Sequence, residues 1–243
     1  MKKINIVIPM AGLGSRFSIA GYKNPKPFID VNGKTMIERV IENLYCKNAE
    51  YILIARKEHL EIEKDLVKKI SERGDVRFIA IDSLTEGTAC TVLFSREYIN
   101  NEEMLLIANS DQIVDMDIQD FINECNEKKY DGSILTFIDN ERNPKWSFAK
   151  TNEQQLVTQV KEKEAISKNA TVGIYLFMKG SDFVNGAIDM IIKNDRVNNE
   201  FYTCPVYNYL IEKKSKISIY NIDVEKMHGL GTPEDLEKFL KII

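Results

Sequence analysis

The segment Met10-Ala11-Gly12-Leu13-Gly14-Ser15-Arg16 directly follows an apolar run, Ile4 to Pro9, and Lys23-Asn24-Pro25-Lys26-Pro27 comes shortly after. A strand that ends in a glycine-containing turn can aim its backbone N–H groups at an anion, because glycine permits positive φ and a close approach. Arg16 and the proline-braced Lys26 add two cations, which suit a polyphosphate better than a single phosphate. Other glycine loops fail on spacing. A dinucleotide fingerprint needs G-x-G-x-x-G, and position 17 is Phe17. No G-x-x-x-x-G-K-[ST] is present. The pattern points to an enzyme that holds a nucleoside triphosphate through Met10, Ala11, Gly12, Gly14, Ser15, Arg16 and Lys26.

Further residues could complete such a site. Asn109-Ser110-Asp111 lies just past the apolar run Met104–Ala108. There a carboxylate can hold Mg²⁺, which takes one or two carboxylates and fills its shell with phosphate and water. A turn or helix-capping aspartate is the other reading. Asp115 and Asp117 have the D-x-D spacing of metal-dependent glycosyl transfer, but they lie where a helix should start, so Asp117 is expected to cap it. Glu86-Gly87-Thr88-Ala89 is a second backbone loop. Gly87 would admit a flat base and Thr88 would bond its edge, or the segment is simply a capped helix start. In Val160-Lys161-Glu162-Lys163, Lys163 either meets a second phosphate or belongs to a solvated turn.

The elements that must position these residues alternate. Strands are predicted at Ile4–Ile8, Tyr51–Ala55, Val76–Ile81 and Met104–Ala108. Helical patterns lie between and after them at Thr35–Leu44, Glu58–Glu72, Thr88–Tyr98 and Asp117–Lys129. This order predicts an α/β, Rossmann-like, mostly parallel sheet with helices on both faces. Four strand-like runs follow, Ser133–Ile138, Ser147–Lys150, Val157–Lys161 and Thr171–Met178, predicting an antiparallel extension that walls a pocket. Helices near Ser181–Lys193 and Pro205–Lys214, a strand Ile217–Ile222 and a helix Pro233–Leu240 close the chain. No linker interrupts it, so one domain over 1–243 is expected. Parallel sheets bind ligands beyond the carboxyl ends of their strands, where Gly12–Arg16, Glu86–Thr88 and Asn109–Asp111 can converge.

The composition of the 243 residues, 44% apolar and 29% charged with a net charge of −4, is that of a globular domain. It argues against non-specific nucleic-acid binding. Cys46, Cys90, Cys125 and Cys204 form no C-x-x-C pair, and the two histidines cannot form H-E-x-x-H, so no zinc or disulfide framework is expected. The first apolar run is short and no run approaches a membrane span, so a cytoplasmic protein without a membrane partner is expected. A homo-oligomer stays open.

These motifs together resemble the nucleotidylyltransferases that join a nucleoside triphosphate to a phosphorylated metabolite. Met10–Arg16 with Lys26-Pro27 is similar to the family's nucleotide loop, and Glu86–Ala89 to its base-contact loop. Asn109-Ser110-Asp111 resembles its metal-binding strand end, Glu162-Lys163 its substrate-side pair, and Gly231-Thr232-Pro233-Glu234-Asp235-Leu236 its C-terminal motif. More narrowly, Lys145-Trp146-Ser147-Phe148 and Ile166–Tyr175 resemble a cytidylyltransferase branch of capsule biosynthesis.

The resemblance implies a nucleotidyltransferase fold, Mg²⁺ (or Mn²⁺) as cofactor, and CTP with phosphoglutamine as substrates. It implies Arg16, Lys26 and Lys163 as catalytic residues, and nucleotide contacts from Gly87, Thr88, Ala89 and Asn109. Many relatives carry a second metal carboxylate at the position of Gly229, for which Asp223 or Glu225 would substitute. The acceptor wall is drawn from Arg142, Trp146, Glu162, Gly173, Glu200 and Tyr202, with Arg142 facing an acceptor carboxylate and Glu200 an ammonium. A sugar-1-phosphate nucleotidylyltransferase shares the nucleotide half and is the alternative. A nucleotide-binding regulatory module without catalysis is the non-enzymatic one.

Overall fold

The computed structural model describes residues 3–243, so the first two residues of the expected domain lie outside the described residues. The chain begins with β1 (Ile4–Pro9), whose Ile4, Ile6 and Ile8 pack on one sheet face while Val7 packs on the other. That alternation requires cover on both sides. The short α1 (Ser15–Ile19) follows, then a single 3₁₀ turn at Lys26–Phe28 and the small ribbon β2 (Asp30–Val31) and β3 (Lys34–Thr35). Helix α2 (Met36–Asn43) starts in a capping box: the Thr35 hydroxyl accepts from Glu38 N, and the Glu38 carboxylate accepts from Thr35 N.

Strands β4 (Ala49–Arg56), β5 (Val76–Ile81) and β6 (Met104–Ala108) build the parallel core in the order β5-β4-β1-β6. The predicted helix over 58–72 is two helices, α3 (Lys57–Ile62) and α4 (Lys64–Ser71), broken at Glu63, whose φ of −107° and ψ of 32° leave the helical region. The helix predicted over 88–98 likewise divides into α5 (Thr88–Leu93) and α6 (Arg96–Ile99). Here the buried Ser95 hydroxyl donates to the Val92 carbonyl, 2.6 Å away, and competes with the helical ladder.

β7 (Gln112–Val114) precedes α7 (Ile118–Glu127), and Asp117 caps that helix by accepting from Gln119 N at 2.9 Å. The antiparallel part follows: β8 (Gly132–Ile138), β9 (Ser147–Thr151), β10 (Val157–Glu162) and β11 (Asn169–Phe177). Helices α8 (Gly180–Ile192) and α9 (Val206–Glu212) then cover one sheet face. β12 (Ile217–Ile222), the expected closing strand, pairs with β8 in parallel. β13 (Met227–Gly229), unforeseen in the sequence like β7, pairs with β7, and α10 (Pro233–Leu240) ends the fold.

β11 is a fork. Its residues 174–177 lie beside β6, whereas Ala170 lies beside Phe148 of β9. The register against β8 breaks between Thr171 and Tyr175. Gly173 sits in that break with φ of 93°. The parallel core and the β9–β10 hairpin therefore part company at one residue, and the cleft opens between them. Among the described residues no helix is long and apolar enough to cross a membrane.

Candidate active site

Two adjoining lobes make up the cleft at the carboxyl ends of the parallel strands. The first, about 480 Å³, is lined by Met10, Gly12, Gly14, Ser15, Arg16 and Lys26. The second, about 470 Å³, is lined by Lys145, Trp146, Glu162, Lys163 and Gly173, among others. Arg16, Thr88, Asn109, Asp111, Tyr202 and Gly231 line both.

The first lobe is shaped by backbone. Gly14 has φ of 61° and caps α1, and a methyl group there would lie 2.9 Å from Lys26 Cβ, so the glycine lets the two cationic segments pack together. Gly12 needs no such freedom: it is exposed, with open space where a Cβ would project. Lys26 and Asp111 form an ion pair at the lobe junction, with side chains 18% and 22% exposed. Asp111 is anchored by its own carbonyl, which accepts from Leu230 N at 2.7 Å. Gly231 leaves room beside the carboxylate, since a Cβ there would lie 3.1 Å from Asp111 Oδ2.

The second lobe holds charge in a drier setting. Burial, opposed by the Ser147 hydroxyl bond and by Lys163 and reinforced by Glu200, raises the Glu162 carboxyl above its ordinary value. Lys163 Nζ donates to the Tyr202 hydroxyl at 2.6 Å, and that hydroxyl donates to Glu200. Trp146 packs edge-on to Phe137, and Lys145 Nζ lies over its ring at 4.6 Å. Asn109 Nδ2 donates to Gln112 Oε1 at 3.0 Å, and Asn109 N donates to the Gly173 carbonyl at 3.0 Å. A side chain at Gly173 would overlap both amides.

Several expected residues fall elsewhere. Gly87 does not line the cleft. Its φ of 117° and missing Cβ admit the Phe201 backbone, not a base: Phe201 N donates to the Glu86 carbonyl at 2.7 Å, and Ala89 N donates to the Phe201 carbonyl at 2.9 Å. Ala89 and Ala11 are core residues. Thr88 does line the cleft, and its hydroxyl accepts from Thr203 N and Oγ1, each at 3.2 Å. Arg142 stands exposed on the loop before β9 with φ of 55° and lines neither lobe; Lys145, three residues on, supplies the cation there. Glu200 reaches the cleft only through Tyr202. Asp223 is exposed and outside both lobes, as are Asp115, which pairs with His228 at 2.7 Å, and the capping Asp117. Lys145, Ser147 and Gln112 are lining residues the sequence did not single out for roles. Lys145 and Ser147, which flank Trp146 in the motif Lys145-Trp146-Ser147-Phe148, carried a signal, and Gln112 carried none.

For a divalent metal the donor set is sparse. Among the described residues no three His, Cys, Asp or Glu side chains gather as a metal site. Asp111 offers one hard oxygen donor at the junction of the lobes. This suits Mg²⁺ or Mn²⁺ completing its shell with phosphate and water, and it does not suit zinc. Gly229 lines the second lobe with open space around it, so no side chain contributes there.

A family model for nucleotidyl transferases matches residues 6–222. The chain belongs to this family. The chain is 25% identical over 236 residues to a D-glycero-alpha-D-manno-heptose 1-phosphate guanylyltransferase of Campylobacter jejuni, covering 96% of this chain and 97% of that protein. It is 24% identical over 245 residues to the bifunctional protein GlmU of Clostridioides difficile, covering 98% of this chain but only 51% of that protein. Thus the chain spans about half the length of that relative, or less for the archaeal GlmU proteins of Methanococcus. A crystal structure of a nucleoside-diphosphate-sugar pyrophosphorylase from Vibrio cholerae superposes with a TM-score of 0.82 at 26% identity, covering 97% of this chain and 99% of that one. The expected α/β nucleotidyltransferase fold is thus the fold of this chain.

Proposed function

We propose that this enzyme joins a nucleoside triphosphate to a sugar 1-phosphate and releases pyrophosphate. The observation that carries the reading is the pair of lobes: each has its own lysine, Lys26 or Lys163, and the two meet at Arg16 and Asp111. Two anions must be brought together, and a cleft with separate cations and a shared junction does that. The names of the Campylobacter and Vibrio proteins support a sugar phosphate over other acceptors.

In this reading a phosphate oxygen of the acceptor attacks the α-phosphorus, and the bond to the β-phosphate oxygen breaks. Lys163 orients the acceptor phosphate, Lys26 stabilises the α-phosphate as its charge shifts, and Arg16 holds the leaving pyrophosphate. Asn109 and Thr88, which line both lobes, would contact the nucleoside. Asp111 would hold Mg²⁺, which when bound neutralises charge on the phosphates. Nothing here needs a covalent nucleophile.

A second reading, CTP with phosphoglutamine, draws on Lys145 beside Trp146, a cation in the acceptor lobe suited to a carboxylate. One screen separates the readings. The four ribonucleoside triphosphates are paired with sugar 1-phosphates, phosphocholine and phosphoglutamine, and pyrophosphate release is followed with Mg²⁺ and with excess chelator. Fastest release with a sugar 1-phosphate, lost in chelator, is expected. Fastest release with CTP and phosphoglutamine would replace the acceptor assignment, and no release from any pair would leave a binding module.

A further inference from the structure

The stretch 194–204 connects α8 to α9 and crosses the cleft, and its hydrogen bonds are distributed unusually. Phe201 is buried and bonded on both sides to the loop that opens α5, through Glu86 and Ala89. Thr203 is bonded to Thr88. Arg196 tightens the same junction: its guanidinium pairs with Glu86 at 2.6 Å and lies over the Phe201 ring at 4.4 Å. Tyr202 sits between these two pinned residues, so its backbone is fixed to the first half of the fold. Its side chain points across the cleft, where its hydroxyl accepts from Lys163 Nζ of the other half, and the same hydroxyl donates back to Glu200 of its own stretch.

Lys163 needs such a partner. It follows β10 in the left-handed region, with φ of 56°, a conformation that lysine adopts rarely. Its backbone N donates to the Trp146 carbonyl at 3.0 Å. A long side chain on a turn otherwise samples many rotamers. Burial, and then the bond to Glu200, raise the Tyr202 phenol above its ordinary value, so it remains a donor to Glu200 at neutral pH.

We infer that Tyr202 is a positioning residue: it carries the geometry of the Glu86–Thr88 loop across the cleft and holds the Lys163 ammonium where the acceptor phosphate must arrive. This rests on the reading of Lys163 given under the proposed function. The phenol does not touch the reacting atoms; it acts through the lysine.

The test compares wild type, Tyr202→Phe, Lys163→Met and the double variant. The first measurement needs no substrate: the rate at which N-hydroxysuccinimidyl acetate acylates Lys163 is followed by peptide mass spectrometry, with Lys26 as internal reference. Tyr202→Phe is expected to speed labelling of Lys163 severalfold and to leave Lys26 and the melting temperature unchanged. The second is steady-state kinetics with the sugar 1-phosphate turned over fastest in the screen. Tyr202→Phe should raise the KM for that sugar phosphate about tenfold, the scale of one hydrogen bond to a charged group. The KM for the nucleotide should stay near wild type. In the Lys163→Met background the same substitution should add nothing, since the partner it acts on is gone.

Unchanged labelling of Lys163 overturns the inference. So does faster labelling with an unchanged acceptor KM while Lys163→Met raises it. If Lys163→Met itself leaves the acceptor KM unchanged, the role given to Lys163 fails first and the inference with it.

Discussion

Replacing Gly87 with alanine separates two uses of a glycine that look alike in a sequence. Gly87 has φ of 117° and ψ of 172°, a region open in practice to glycine alone. Forcing another residue into it costs about 1–3 kcal/mol. The added methyl would overlap the Phe201 carbonyl oxygen and lie 2.6 Å from Phe201 N. Both are backbone atoms, so no side chain can swing aside. Relief requires Phe201 to withdraw, which breaks its bonds to Glu86 and Ala89, each contributing about 0.5–1.5 kcal/mol. The combined loss is about 2–6 kcal/mol, or a fall in melting temperature of about 5–20 °C for a chain of this length. Differential scanning fluorimetry at fixed protein concentration reads the shift. Steady-state kinetics should show a raised acceptor KM, because Tyr202 moves with Phe201. A melting temperature within about 1 °C of wild type with a change confined to the nucleotide KM would refute the reasoning and return the glycine to the base.

Three further outcomes follow from the cleft. Lys26→Ala should lower turnover by about 10²–10³-fold with an unchanged circular dichroism spectrum, the scale of losing one preorganised charge; near-normal turnover removes Lys26 from the chemistry. Glu162 has its folded pKa raised by burial, so as pH rises through the window above its unfolded value the native state retains a proton that the unfolded chain has lost, and stability falls. Glu162→Gln should therefore gain stability relative to wild type as pH rises above the ordinary carboxylate range in urea titrations, and a pH-independent difference would contradict it. Lys145→Ala should raise the acceptor KM about tenfold while Arg142→Ala stays within about twofold of wild type; equal effects would mean that the Lys145 ammonium is no closer to the acceptor than the exposed Arg142.

Much of the fold was legible because its signals are local and repeated. The apolar runs at Ile4–Ile8 and Met104–Ala108 are long enough to be buried strands, and Met36, Ile37, Val40, Ile41 and Leu44 recur at helical spacing. What escaped depended on single residues or distant partners. A break at Glu63 leaves the amphipathic pattern on either side intact. β7 and β13 are three residues each and exist only by pairing with one another across more than a hundred residues. In the site, Gly14 and Asp111 fell where the spacing put them, whereas Gly87 was read as a ligand contact although its neighbour is Phe201, far along the chain. Arg142 was expected at the acceptor, whereas Lys145 lines the lobe, because the sequence gives charge but not direction.

The fork at Gly173 bears on how a chain of this fold can change over evolutionary time. The hairpin that carries the Ser147, Glu162 and Lys163 wall joins the rest of the sheet along the early part of β11, beyond the point where β6 has let go. Insertions or substitutions in residues 145–163 can thus be sampled without re-registering β1 and β6, the strands from which the segments carrying Gly14, Lys26 and Asp111 emerge. On the proposed reading, selection for a new acceptor and selection for an intact phosphate grip would act largely on separate pieces of chain, meeting only at the residues that line both lobes. The hinge between them is a glycine that cannot itself be varied.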